Sequence, residues 1–154
     1  MLRISKMADY GTLVIAYLAT YPENPLNAKE IAEKTQLTLP TVSKLLKLLT
    51  RARLLISVRG PQGGYQLAQE ATSISVLSII DALDGKTGLT DCSHKTGLCS
   101  LEQRCTLHSH WKFISQMIRN TLNTISLEKL IQKEYTHVET NVLRGNNVNT
   151  SNAT

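Results

Sequence analysis

A chain of 154 residues with 42% apolar content is long enough to bury one core and carry appendages. No apolar run is long enough to span a bilayer, and the N-terminus lacks a signal-peptide pattern, so a cytosolic protein is expected and a membrane partner is not. The net charge of +5 is a mild push toward an anionic partner, and an odd number of cysteines argues against a structural disulfide framework.

Tyr10, Leu13, Val14, Tyr17 and Leu18 recur at helical spacing over residues 5–20, with Ser5 as a cap and Pro22 and Pro25 as stops. Asn27 followed by Glu30 is a capping-box variant that starts a short helix, which ends near Thr35. Gln36-Leu37-Thr38 is long enough only for a turn, and Pro40 fits the first turn of the next helix. The buried stripe of that helix is Val42, Leu45, Leu46, Leu49 and Ala52, while Thr41, Ser43, Lys44, Lys47 and Arg51 lie mostly on other faces. Two helices joined by about three residues, the second basic on its outer side, describe a helix-turn-helix.

Leu54 to Val58 and Tyr65 to Leu67 are β-prone, and the Pro- and Gly-rich run from Arg59 to Gly64 between them predicts a hairpin, the wing of a winged helix. Ser75 caps a helix that ends at Gly85. The Ser100-x-x-Gln103 pair predicts the start of a long helix reaching Thr124, and Ser126 caps a short one over 127–133. On the long helix Leu107, Trp111, Ile114, Ile118, Leu122 and Ile125 form a narrow apolar seam that suits a partner helix, so a homodimer is expected. The Asn-rich residues 145–154 are expected to be disordered.

Two constellations carry chemistry. From Lys34 to Gln69 there are six basic residues and no acidic one, a local positive field of the kind that phosphate attraction needs. Within it, Thr41, Ser43 and Lys44 suit base edges, and Lys47 and Arg51 suit phosphates. Lys6 and Lys29 are candidates for further backbone contacts. Arg59, next to Gly60 on the hairpin turn, suits a minor groove. The predicted partner is double-stranded DNA with a roughly palindromic operator.

The second constellation is Cys92-x6-Cys99-x5-Cys105 with His108 three residues on. Its neighbours are polar, which packing explains poorly. Placed on the long helix, Cys105 and His108 share a face, and Cys92 and Cys99 come from a loop able to fold over it. Zinc accepts three thiolates and an imidazole, though structural zinc sites use tighter spacers; the looser spacing leaves room for an iron–sulfur cluster. His94 and His110 are competing imidazoles. A thiol redox enzyme is disfavoured, because no Cys-x-x-Cys occurs and no nucleophile–base pair stands out.

Several motifs together resemble the IscR-type family of winged-helix iron–sulfur transcription regulators. They are Leu2-Arg3-Ile4-Ser5-Lys6 with Tyr10, the wing run from Ser57 to Leu67, Cys105-Thr106-Leu107-His108-x2-Trp111, and Ile125-Ser126-Leu127-x2-Leu130. The resemblance covers about residues 2–131, and the Suf-system regulator branch is nearest. It implies a non-enzymatic homodimer that controls iron–sulfur assembly genes and binds one [2Fe–2S] cluster per subunit through Cys92, Cys99, Cys105 and His108. There are two departures from the family's type member: the first cysteine spacer is one residue longer, and Ser43 replaces a glutamate linked to operator discrimination. Asp9 matches the position from which a related nitric-oxide-sensing repressor ligates a [4Fe–4S] cluster across its dimer, which gives an alternative ligand and cluster. A zinc-stabilised DNA-binding protein is a further alternative.

The expected fold is mainly α with a small β-hairpin wing. Residues 1–85 form the winged helix-turn-helix domain, 86–106 the cluster-binding loop, 101–134 the dimerisation helix region and 135–154 a disordered tail.

Overall fold

A computed structural model describes residues 4–86, 88–90, 93, 99–100 and 104–132. Cys92, His94, residues 101–103 of the expected capping box and the expected disordered tail lie outside the described residues.

Helix α1, Lys6–Ala19, begins where the Ser5 hydroxyl accepts the Ala8 amide at 3.0 Å. Helix α2, Ala28–Thr35, begins where the Asn27 side chain accepts the Glu30 amide at 2.9 Å. Each cap satisfies an amide that the helix itself leaves open. Gln36 ends α2 in the left-handed region (φ 57°), turning the chain into α3, Leu39–Arg51, with Pro40 in its first turn. Strands β1, Leu55–Val58, and β2, Gly64–Leu67, pair antiparallel, with Leu55 opposite Leu67 and Val58 opposite Gly64. Helix α4, Val76–Asp84, is capped by Ser75 and stops at Gly85 (φ 81°). The expected class, mainly helical with one small hairpin, is the one observed.

The core takes most of the predicted stripes, but Leu13 of α1 and Ala52 at the end of α3 face outward, and Ile15 is buried instead. Val14, Ile15 and Leu18 of α1 meet Ile31 of α2, and Val42, Leu45, Leu46 and Leu49 of α3, with Ile74 and Ile79 completing the cluster. All are essentially inaccessible to water. Burial on this scale, roughly 2–3 kcal/mol for each large aliphatic side chain, holds the two-helix reading unit in one orientation.

The long helix departs from expectation. Helix α5 runs His108–Thr124, and the described residues 104–107 before it are not helical, so it starts eight residues after Ser100. Cysteine and threonine are poor helix formers, and Cys105-Thr106 is not drawn into the helix by a buried face. Cys105 therefore lies in the turn leading into α5 and does not share a helical face with His108.

Helix α5 packs along α4, and its end returns to the domain through a short antiparallel bridge. The Val76 amide donates to the Ile125 carbonyl (2.8 Å) and the Leu127 amide to the Ile74 carbonyl (2.7 Å). Leu127, the first residue of α6 (Leu127–Ile131), is fully buried in the core. This anchor fixes where α5 leaves the reading domain.

Candidate functional site

The candidate reading head is built on α3. Val42, Leu45, Leu46 and Leu49 face the core, so the intervening residues Pro40, Lys44, Lys47 and Arg51 fall on the opposite, exposed side. Thr41 and Ser43 are half-buried, and the Thr41 hydroxyl is 2.8 Å from that of Thr38. No side chain caps the start of α3, which leaves its first amides for an anionic group such as a phosphate. Leu39 is 46% exposed at that same end. Sequence reading passes over it, because an apolar residue next to a buried stripe reads as core; its exposure makes it a candidate contact for a thymine methyl.

The wing is held by a close backbone approach. The Leu26 amide donates to the Tyr65 carbonyl (3.0 Å) and the Tyr65 amide to the Leu26 carbonyl (2.8 Å). Gly64 is required there: a Cβ on it would run into the Leu26 carbonyl and lie 3.0 Å from the Asn27 nitrogen. In the adjoining turn Gly60 has φ 126°, a conformation that disfavours any side chain, and Gly63 closes the turn onto its carbonyl at 2.9 Å. Arg59 and Gly60 are exposed on this turn. Lys6 and Lys29 are also exposed. The exposed cations of α3 and the wing therefore belong to one acid-free stretch folded into a compact head, an arrangement suited to a groove and its phosphates.

Cys99 and Cys105 are free, half-buried thiols. The His108 amide donates to the Cys105 carbonyl at 3.3 Å, so the turn before α5 sets these two residues close in space. His108 is half-buried, whereas His110, its competitor, is exposed. By donor chemistry, thiolates with an imidazole fit iron–sulfur or zinc ligation. Among the described residues, however, no three His, Cys, Asp or Glu side chains are gathered as a metal site. Asp9 is exposed in the first turn of α1.

The fold and the head find counterparts among known proteins. The family model of Rrf2, an iron-dependent transcriptional regulator, matches residues 4–133. The chain belongs to the Rrf2 family. Among curated relatives, the HTH-type transcriptional regulator IscR of Xenorhabdus nematophila is 32% identical over 134 residues, covering 86% of this chain and 81% of the relative. The IscR of Yersinia enterocolitica is 31% identical with the same coverage. Among solved structures, T. potens IscR aligns with TM-score 0.64 and 32% identity over 84% of this chain and 86% of that one. CymR, the global cysteine regulator of B. subtilis, aligns with TM-score 0.65 and 29% identity over 85% and 97%. This Rrf2 protein is thus a DNA-binding transcriptional regulator and not an enzyme. An IscR and a cysteine regulator share its fold equally well, so architecture does not specify the signal; side chains do.

Three residues outside the sequence-predicted set organise the site's frame. Arg119 of α5 grips Asp81 of α4 through two hydrogen bonds of 2.9 and 2.7 Å, and this pairing, opposed by partial burial, raises the arginine's pKa above its ordinary value. Ser115, the buried residue of α5, bonds to Leu89 and Ser93, which lie on either side of Cys92 in the sequence. Each pairs with a group tens of residues away in sequence, so no local motif announces them. Among the described residues, no helix is long and apolar enough to cross a membrane.

Proposed function

We propose that this Rrf2 protein is a cytoplasmic homodimeric regulator of iron–sulfur assembly genes whose operator affinity follows the state of an iron–sulfur cluster, a [2Fe–2S] centre held by Cys92, Cys99, Cys105 and His108. The observation that carries the reading is the pairing of an exposed basic reading head with free, half-buried thiols at the root of the long helix. Packing does not account for cysteines among polar neighbours, and a structural zinc site is disfavoured by the wide spacers. The family's iron dependence and the IscR relatives support iron over zinc.

Dimerisation is supported by what α5 leaves uncovered. Trp111, Phe113, Ile114 and Met117 are 39–66% exposed on this helix, and Leu107 just before it is 54% exposed. An apolar face of this kind on a regulator matches a second copy of itself, which sets two heads on a two-fold operator. Thr41, Ser43, Lys44 and exposed Leu39 would face bases, Lys47 and Arg51 phosphates, and Arg59 with Gly60 the minor groove. The cluster would supply the sensitivity to iron, oxidants or nitric oxide. The chain's own part is to bind that group by the turn before α5 and to carry its loss to the head through α5 and α4. The coupling has to come from unequal DNA affinity of the two states.

A second reading keeps the fold and changes the ligand set: Asp9, exposed on α1, would reach a [4Fe–4S] cluster of a second copy, as in a nitric-oxide-sensing repressor. Anaerobic purification tests both. A coloured protein with iron and sulfide that binds its operator differently with and without the cluster supports the proposal; a colourless protein with stoichiometric zinc overturns it. Loss of the cluster in Asp9→Ala but not in His108→Ala selects the second reading.

A further inference from the structure

The middle of α5 exposes large apolar side chains and buries a small polar one. Ser115 is 5% exposed. Its hydroxyl donates to the Ser93 hydroxyl (2.9 Å) and accepts the Leu89 amide (3.1 Å). The Ser93 hydroxyl in turn donates to the Thr90 carbonyl and accepts the Thr90 amide, both at 2.9 Å. One buried serine thus ties together both ends of the segment 89–93, and Ser93 is covalently adjacent to Cys92.

The tie continues beyond the loop. Four residues along the same helical face, Arg119 forks onto Asp81 of α4. One turn further along α4, Asp84 accepts the hydroxyl of Ser5 at 2.5 Å, the residue that caps α1. Three polar contacts, Ser93–Ser115, Arg119–Asp81 and Asp84–Ser5, joined by the backbones of α5 and α4, therefore lead from the residue beside the first cysteine to the start of α1. Apolar packing does not require it, since an alanine at 115 would fill nearly the same space; the buried hydroxyl's desolvation is offset by its bonds to Leu89 and Ser93, so those two residues are what it holds.

We propose that Ser115 is a positioning residue: it pins the segment preceding and following Cys92 to α5, so that a change in what the cysteines hold shifts α5 against α4 and the reading head. This rests on the reading of the cysteines as cluster ligands. Coupling is read as a change in the difference between the operator affinities of the two states.

The test uses the full-length protein as purified anaerobically and the same protein after cluster removal. Amide hydrogen exchange of segment 89–93 is followed in both, and operator affinity is measured at fixed salt. In Ser115→Ala, exchange at Leu89 should quicken about fivefold even in the cluster-free form, the worth of one hydrogen bond. Iron content should be retained, and the ratio of cluster-loaded to cluster-free affinity should fall toward one. Ser115→Thr, which keeps the hydroxyl, should restore part of the ratio. Ser93→Ala, on the half-buried loop side, provides the same cut if Ser115→Ala does not fold. An unchanged ratio with wild-type coupling intact overturns this inference alone. A wild-type protein with no cluster, or with equal affinity in both states, overturns the proposed function and this inference together.

Discussion

Gly64→Ala isolates how the wing is held. The added methyl group would meet the Leu26 carbonyl and the Asn27 nitrogen, both backbone atoms that cannot rotate aside. Relief requires the hairpin to withdraw from Leu26, which breaks the pair of Leu26–Tyr65 backbone hydrogen bonds at 3.0 and 2.8 Å. At about 1 kcal/mol net for each bond the loss is about 2 kcal/mol. Replacing glycine within a strand returns about 0.5 kcal/mol through reduced chain entropy. The expected net destabilisation is therefore about 1.5 kcal/mol, a fall of about 5 °C in Tm for a chain of this size. Thermal and urea unfolding followed by circular dichroism measure it. Because the same bonds aim Arg59, operator affinity should also fall, and the losses in Gly64→Ala and Arg59→Ala should overlap when combined. A Gly64→Ala protein as stable as wild type would show that the approach to Leu26 relaxes without cost. Fully additive affinity losses would show that the docked wing does not position Arg59.

Lys47→Ala should weaken operator and random DNA alike and reduce the slope of log K against log salt by about 1, whereas Arg59→Ala should weaken the operator more than random DNA; equal effects of both variants on both DNAs would contradict the assigned roles. Leu127→Ala removes a fully buried anchor and should cost about 3 kcal/mol, read from the urea midpoint; a loss below about 1 kcal/mol would mean that the Ile74–Leu127 bridge alone holds the end of α5. Asp81→Asn should cost about 1 kcal/mol through the broken fork to Arg119. Pairing raises the arginine's pKa, so its contribution is complete below the ordinary arginine value and is lost only as pH climbs through the higher folded value. The difference between variant and wild type should therefore stay constant from about pH 7 to 10; a difference that shrinks across that range would refute the sign.

The features legible from the chain alone are those written in neighbouring residues. Ser5, Asn27, Ser75 and Ser126 each cap the helix that their local pattern announces, because a cap joins a side chain to an amide three residues away. The stripe Val42-Leu45-Leu46-Leu49 and the run from Arg59 to Gly64 likewise specify a reading helix and a wing through periodicity and turn chemistry. The candidate ligands were legible as residue types at a spacing. Their placement was not, since the start of α5 at His108 left Cys105 in a turn where a capping signal eight residues earlier predicted helix.

Sequence by itself thus determined the helix-turn-helix, the wing and the set of atoms able to bind a metal. Tertiary structure alone decided that Gly64 must be bare against Leu26, that Leu127 returns to the core beside Ile74, that Asp81 meets Arg119, and that Ser115 is buried against Leu89 and Ser93. The reason is physical. Helix caps and amphipathic stripes are satisfied within a few residues, while burial and long-range hydrogen bonds depend on which surfaces the whole chain brings together.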